Sequence, residues 1–332
     1  MKALMSVEPG GPETLKLMEV DDPEVPGGSV LIRVHAAGCN FPDTLIIRDL
    51  YQFKPERPFA PGGEVAGVIE AVGEGVDQSL VGKRVAASAG AFGGYSSHVV
   101  VKADAPIPLP DELSFEEAAA FLMTYGTSYY ALKDRAFLKP NEALVVLGAA
   151  GGVGSAAVEL GKAMGAKVIA AVSSEAKAEF CRGLGADDTI VYPRELDDRD
   201  AQKALSNEIK EKTGGGADVL YDSVGGPYCE PALRAMGWEG RYLVVGFPAG
   251  IPKPPLNLTL LKSCQIVGVF WGAAVMRDWA AHMRNMNDLV TMMREGKIRP
   301  RVTASFPLEQ GAEALKLLEG REATGKIVLT VA

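Results

Sequence analysis

Histidine and cysteine are scarce in this chain of 332 residues, with three of the first and four of the second. The histidines, His35, His98 and His282, show no ligand spacing and are expected to be surface or core residues. The cysteines, Cys39, Cys181, Cys229 and Cys264, are scattered without pairing spacing and read as reduced thiols of a cytosolic protein. Positive charge is short as well. Lys and Arg number 34 against 42 Asp and Glu, a net charge of −8, which argues against nucleic acid as the main partner. No apolar run reaches the length of a membrane span, so no membrane partner is expected. The opening Met1-Lys2-Ala3-Leu4-Met5 lacks the long apolar core of a secretory signal, and a cytoplasmic location is expected. Low-complexity tracts and internal repeats are missing too. What is left, 47% hydrophobic and 23% charged, is the balance of an ordinary soluble globular protein. Its length suggests two domains.

The most informative stretch is Leu144-Val145-Val146-Leu147-Gly148-Ala149-Ala150-Gly151-Gly152-Val153-Gly154. An apolar run ends in small residues, and a helical pattern from Ser155 to Met164 follows at once. That order predicts a buried strand, a tight turn and a helix start, the phosphate-binding corner of a dinucleotide fold. Gly151 and Gly152 let the main chain approach a pyrophosphate, and Gly154 lets the helix pack close on the strand. The helix N-terminus then offers free N–H groups and a positive dipole end. The usual G-x-G-x-x-G spelling is departed from, because Ala149 stands where the first Gly is expected.

Five further strands are predicted: Lys167–Val172, Thr189–Val191, Ala217–Asp222, Gly240–Gly246 and Gln265–Val269. A helix from Glu175 to Leu184 separates the second from the third. Strands alternating with helices argue for βαβ units and a parallel sheet, and six such strands fill a doubly wound Rossmann domain.

The first 120 residues read differently. Short strands such as Ser29–Val34 and Glu64–Val72 are separated by the turn signals Pro26-Gly27-Gly28, Pro61-Gly62-Gly63 and Gly73-Glu74-Gly75. A helix starts at Ser114, with Glu117 completing a capping box. The C-terminal segment returns to strand character at Ile327–Val331 and is expected to rejoin the first unit. The expected division is 1–121 with 299–332 as one, mostly β, domain, and 122–298 as the dinucleotide domain.

Cofactor preference is legible just past the second strand. NAD-preferring folds place an acid about 20 residues beyond the glycines, to bind a ribose 2′-hydroxyl. Here Ser173-Ser174 follows the strand, and hydroxyls suit a 2′-phosphate where an acid repels it. Lys177, one helical turn on, supplies positive charge. The expected cofactor is NADPH, provided that Glu175 points away.

The chain resembles the zinc-free quinone oxidoreductases related to zeta-crystallin, within the medium-chain dehydrogenase/reductase superfamily. The resemblance covers nearly the whole chain and is carried by several motifs. They are Met1-Lys2-Ala3, Ala37-Gly38-Cys39-Asn40-Phe41-Pro42-Asp43, Pro58-Phe59-Ala60-Pro61-Gly62-Gly63-Glu64, Tyr125-Gly126-Thr127, the Ala149-to-Gly154 loop and Gly320 to Gly325. It implies an α/β fold with a GroES-like β-rich catalytic domain and a Rossmann domain. It also implies NADPH-dependent hydride transfer in the cleft between them, and a homodimer built by joining sheet edges. Zinc-dependent relatives place Cys where Asn40 stands and His where Gly63 stands. Asn is a poor zinc ligand and Gly has no side chain, so no metal is expected. Cys39 is one residue too early, and residues 85–105 lack the four close cysteines of a structural zinc lobe.

The resemblance places Asn40 near the nicotinamide ribose or the substrate carbonyl, and Tyr192 near the adenosine phosphate. Tyr51 lines the substrate site or simply packs. Thr124 and Thr127 are expected at the nicotinamide end, with Ser223 and Val224 close to its ribose. Gly246 and Phe247 end the fifth strand, and Phe270, Trp271 and Gly272 follow the sixth, where doubly wound sheets place ligands; Trp271 equally suits the core or an interface. Val153 joins Gly151 and Gly152 in the phosphate loop. The expected substrate is a quinone or a conjugated enone. Neither a flavin site nor a strong acid–base pair is visible. Enoyl-CoA reduction stays open, with Arg48, Lys54 and Arg57 as a candidate CoA cluster. A non-catalytic role in binding NADPH or nucleic acid is a third reading, which the acidic balance opposes.

Overall fold

The structure is a computed structural model and describes residues 1–331. The chain begins with β1 (Lys2–Ser6), β2 (Leu15–Glu19), β3 (Ser29–Cys39), α1 (Phe41–Ile46), β4 (Glu64–Val72), β5 (Arg84–Ser88), β6 (His98–Lys102) and β7 (Ile107–Pro108). Helices α2 (Phe115–Ala119) and α3 (Leu122–Tyr129) lead to β8 (Ala143–Leu147), α4 (Gly152–Ala163), β9 (Lys167–Val172), α5 (Glu175–Gly183) and β10 (Asp188–Val191). Next come α6 (Arg199–Thr213), β11 (Ala217–Asp222), α7 (Cys229–Arg234), β12 (Met236–Val244), α8 (Asn257–Lys262), β13 (Gln265–Gly268), α9 (Trp271–Arg277) and α10 (Trp279–Arg294). The last elements are β14 (Val302–Pro307), α11 (Gly311–Glu319) and β15 (Lys326–Thr330).

Two compact units result, one of Met1–Met123 with Pro300–Ala332 and one of Thr124–Arg299. The first holds a mixed sheet in the order β14-β15-β3-β4-β5-β7, with β6 paired to β3. Strand β3 extends to Cys39, five residues beyond the predicted Val34. Its second half pairs with the C-terminal strand, Ala36 to Cys39 against Thr330 to Ile327. That partner lies almost a whole chain away, so local pattern could not reveal it. The capping box is present: Ser114 Oγ accepts from the Glu117 N–H at 3.1 Å, and Glu117 Oε2 from the Ser114 N–H at 3.1 Å.

The second unit is a six-stranded sheet in the order β10-β9-β8-β11-β12-β13, parallel throughout. The order reverses between β8 and β11, the switch point where doubly wound sheets bind ligands. Strand β8 is buried along its length, as a parallel strand covered on both faces requires. Two predicted boundaries move. The first helix starts at Gly152 rather than Ser155, because Gly151 is already its N-cap. The fifth strand runs from Met236 and stops at Val244. Beyond it the N–H groups of Val245 and Gly246 both turn onto the Asp222 carbonyl, at 2.9 and 3.2 Å. Strand β13 is one of the two sheet edges; Gln265 and Gly268 are exposed on it, and Val267 is buried in its own unit.

Among the described residues no helix is long and apolar enough to cross a membrane. All four cysteines are free and buried.

Candidate active site

The second unit gathers most of the expected residues at the C-terminal ends of its strands. Gly148 makes the turn after β8, with a φ of +70° that favours glycine. The missing first Gly of the motif is thus supplied one residue before Ala149. Gly154 has the packing role expected of it. A Cβ there would stand 2.2 Å from the Gly148 carbonyl oxygen, so only glycine lets α4 approach the strand. A Cβ on Gly151 would meet nothing closer than 3.5 Å, so packing does not demand glycine there and the space is open to a ligand. Gly151 caps α4 without a side-chain hydrogen bond, leaving the dipole end to an anion. The Ser128 hydroxyl of α3 donates to the Val153 carbonyl at 2.8 Å and braces the first turn of α4.

Neighbouring strand ends close around this corner. Ser223 Oγ donates to the Leu147 carbonyl at 2.9 Å, and Ser223 and Val224 fill the space beside Gly148. Asp222, buried beneath them, accepts from the N–H groups of Val224 and Gly225 at 2.8 and 2.9 Å and from the Tyr242 hydroxyl. Burial raises its pKa against those donors. Gly225 packs against Phe247, which is 47% exposed. Tyr192 is buried with its ring 5.0 Å from that of Tyr228, and burial raises its phenol. Trp271 lies across Gly126, where a Cβ would stand 2.7 Å from the indole, and meets His282 at 5.7 Å. The neighbouring Thr127 is half-buried, and Thr124 is buried. Phe270 is 46% exposed, and Gly272 lies beside its ring.

At the end of β9, Ser174 is the N-cap of α5 and accepts from the Lys177 N–H at 3.4 Å. A hydroxyl that accepts in this way still has its proton to donate. Glu175 is drawn along the helix to Arg182, at 2.7 Å, which removes the complication it posed.

The first unit holds a cluster that the sequence concealed. Asn40 caps α1 and is 6% exposed. Its Nδ2 donates to Glu64 Oε1 at 2.8 Å and to the Gly38 carbonyl at 3.3 Å. Its Oδ1 accepts from Lys326 Nζ at 2.8 Å, and that ammonium also reaches Glu64 Oε1 at 2.8 Å. Gly38 makes room for the cluster, since a Cβ there would stand 2.5 Å from Glu64 Oε1. Asp43 Oδ2 accepts from the Asn40 N–H and the Tyr95 hydroxyl, both at 2.8 Å. Burial pushes the Asp43 carboxyl up to about 6, with those donors and Lys326 opposing. Tyr51 is half-buried 6.1 Å from Phe53, and burial, with the Asp43 charge, raises its phenol. The missed residues are Lys326, Glu64 as a bonding partner, and Tyr95. Only a lysine at the head of an apolar strand, Lys326-Ile327-Val328-Leu329, hinted at them.

This cluster also bears on a metal. A Cβ on Gly63 would stand 3.0 Å from the Gly90 carbonyl oxygen, a tight contact that a side chain there would meet only if that neighbour gave by a few tenths of an ångström. Among the described residues no group of three or more His, Cys, Asp and Glu could hold a metal ion. Arg48 is paired with Glu319, and Arg57 with Asp49 at 2.9 Å, so two members of the candidate CoA cluster are already neutralised.

A glycine corner at the switch point of a parallel sheet, in a chain that also holds a separate β-rich unit, is the architecture of the two-domain dehydrogenases and reductases. Family models agree: residues 26–111 match the alcohol dehydrogenase GroES-like domain, and residues 152–288 the zinc-binding dehydrogenase domain. The quinone oxidoreductase-like protein 2 homolog of Nematostella vectensis is 37% identical over 304 residues, which span 90% of this chain and 81% of that one. The human quinone oxidoreductase is 32% identical over 332 residues, covering 99% and 97%. The solved structure of Escherichia coli quinone oxidoreductase complexed with NADPH superposes with a TM-score of 0.88 at 31% identity, covering 99% and 100%. The chain belongs to the quinone oxidoreductase family, the zinc-free branch of the medium-chain dehydrogenase/reductase superfamily, and is an oxidoreductase.

Proposed function

We propose that the protein reduces quinones with NADPH by direct hydride transfer and without a metal. The observation that carries this reading is the pairing of the glycine corner with Ser173, Ser174 and Lys177 at the next strand end. A pyrophosphate fits the corner, because Gly151 leaves space and the α4 N-terminus leaves donors. Two hydroxyls and an ammonium fit a 2′-phosphate, and Glu175, at the start of the same helix, is turned to Arg182. The Escherichia coli relative, solved with NADPH, supports the same cofactor.

The reduced nicotinamide supplies the hydride when bound, so the protein's part is placement. Gly151, Gly152 and Val153 receive the pyrophosphate. Tyr192 lies toward the adenosine phosphate, and Ser223, Val224, Gly246 and Phe247 form the floor beside the corner. Thr124, Thr127, Phe270, Trp271 and Gly272 are proposed at the nicotinamide end, with Asn40 and Tyr51 serving the reacting groups. The catalytic role belongs to the first unit and the dinucleotide to the second, with the functional division near residues 121 and 299. A quinone suits a site without a strong acid, because the charge developing on it spreads over a conjugated ring. Metal independence follows from the donor set: Asn40 Oδ1 faces an ammonium, Gly63 has no side chain, and Cys39 is buried with its thiol pushed up to about 12.

Assembly as a homodimer is part of the proposal. The β13 edge is open, and near it in sequence Leu256, Leu260 and Leu261 are 66%, 80% and 64% exposed. Four buried free cysteines fit a cytoplasmic location. The deciding assay follows NADPH oxidation with quinones, enones and enoyl-CoA esters side by side. Quinone turnover is expected to lead. Preference for an enoyl-CoA ester would move the protein to the enoyl reductases, against the neutralised Arg48 and Arg57.

A further inference from the structure

A lysine at the head of a buried strand needs partners for three protons, and Lys326 has them. Its side chain is 5% exposed. Nζ donates to the Cys39 carbonyl at 2.9 Å, to Asn40 Oδ1 at 2.8 Å and to Glu64 Oε1 at 2.8 Å. Glu64 Oε1 also accepts from Asn40 Nδ2 at 2.8 Å, while its Oε2 accepts from the Met123 N–H at 2.9 Å. Lysine, carboxylate and carboxamide therefore form a closed triangle in which every pair is bonded. Turning the carboxamide over would set Nδ2 against the ammonium and Oδ1 against the carboxylate. Two charge-assisted hydrogen bonds would become two repulsions, so one orientation alone is tolerated.

We propose that Lys326, acting with Glu64, is a positioning residue that locks the Asn40 carboxamide so that it accepts, and does not donate, a hydrogen bond at the ligand. The proposal rests on the reading that Asn40 belongs to the ligand site. Both Nδ2 protons are committed, one to Glu64 and one to the Gly38 carbonyl. Further capacity lies on Oδ1. A quinone carbonyl is itself an acceptor and gains nothing from Oδ1, whereas a hydroxyl does. Asn40 is thereby assigned to a hydroxyl, found either on a dinucleotide ribose or on a hydroquinone product, and not to the acceptor carbonyl.

The test needs no turnover. In full-length protein labelled with nitrogen-15, the Asn40 side-chain amide should exchange slowly with solvent, and Lys326→Met should remove that protection. NADPH and 1,4-hydroquinone are then titrated into wild type, Asn40→Ala, Lys326→Met and the double variant. Asn40→Ala and Lys326→Met should each weaken one of the probes by about threefold to tenfold, the worth of one hydrogen bond. The double variant should stay within about twofold of Asn40→Ala, because Lys326 acts through Asn40. Weakening of NADPH assigns the hydroxyl to the ribose, and weakening of hydroquinone alone assigns it to the product. Lys326→Met/Glu64→Met serves if the lone carboxylate prevents folding, since it removes both charges together. Retained protection in Lys326→Met, effects that multiply, or unchanged affinities in Asn40→Ala each overturn the proposal. A wild type that binds neither probe sinks the proposed function instead, and the amide protection still decides for or against the lock.

Discussion

The glycine corner and the Asn40 cluster prepare their sites by opposite means. The corner is made of backbone: Gly148 turns it, Gly154 compresses it, and a helix N-terminus polarises it. The cluster is made of side chains, and they come from three separate parts of the sequence, near residues 40, 64 and 326. A backbone site depends on the absence of side-chain atoms and should fail sterically. A side-chain site depends on charge balance and should fail electrostatically. Substitutions can separate the two.

The largest effect is expected at Gly154. A Cβ there meets a carbonyl oxygen at 2.2 Å, and backbone cannot give way as a side chain can. Gly154→Val should cost about 5 kcal/mol or more, at the extreme for single substitutions, and abolish NADPH binding. Gly151→Ala sharpens the contrast. With 3.5 Å of clearance the fold should hold, as circular dichroism would show, while NADPH binding weakens. A folded, NADPH-binding Gly154→Val protein would remove the steric reading.

Next comes the cluster. Lys326→Met leaves Glu64 buried and alone, which should cost about 3–5 kcal/mol in denaturant unfolding. Lys326→Met/Glu64→Met should recover most of that loss, because an apolar pair needs no neutralising. Equal destabilisation by the single and double variants would show that packing, not charge, holds the region.

Asp43 gives the cluster a pH signature. Its folded value of about 6 lies above the ordinary 3.8, so between those values the folded chain holds a proton that the unfolded chain has released. The group's contribution to stability therefore rises as pH falls from about 6 to about 4. The gap corresponds to roughly 3 kcal/mol. Asp43→Asn removes this dependence. The unfolding free energy of wild type minus that of the variant should grow on acidification through that window. A flat difference would mean that Asp43 is not raised.

The glycine corner was legible because its determinants are consecutive: apolar strand, small residues, helix. Only the exact glycine doing the turning was displaced, from the motif position to Gly148. The strand end and helix start that carry Ser173, Ser174 and Lys177 were legible for the same reason. The Asn40 cluster was not, because β3 meets β15 across almost the whole chain, and no local periodicity reports such a pairing. The resemblance flagged Asn40 and Glu64 as positions, but the bonds between them needed the fold. Val267 is buried in its own unit, so a charge there would damage the fold before it touched an interface.

Lys177→Ala should have a smaller effect and a selective one. One charge-assisted contact is worth about 1.5–3 kcal/mol, so the NADPH Michaelis constant should rise by about tenfold to a hundredfold while that for NADH stays nearly unchanged. Equal shifts for both would remove Lys177 from the phosphate site. The smallest stability change is expected at Leu260, 80% exposed on α8. Leu260→Glu should alter unfolding by no more than about 0.5 kcal/mol yet lower the mass seen in light scattering from dimer to monomer. A wild type that is monomeric at micromolar concentration would contradict the dimer.

The central claim is hydride transfer placed by backbone and side chains alone, with no metal. Its most direct measurement mixes chelator-dialysed protein, loaded with NADPH deuterated at the transferred position, with 1,4-benzoquinone in a stopped-flow instrument. The predicted result is rapid single-phase oxidation, slowed by the deuterium and indifferent to added zinc. Oxidation that requires zinc, or that proceeds at the same rate with and without the deuterium label, would contradict it.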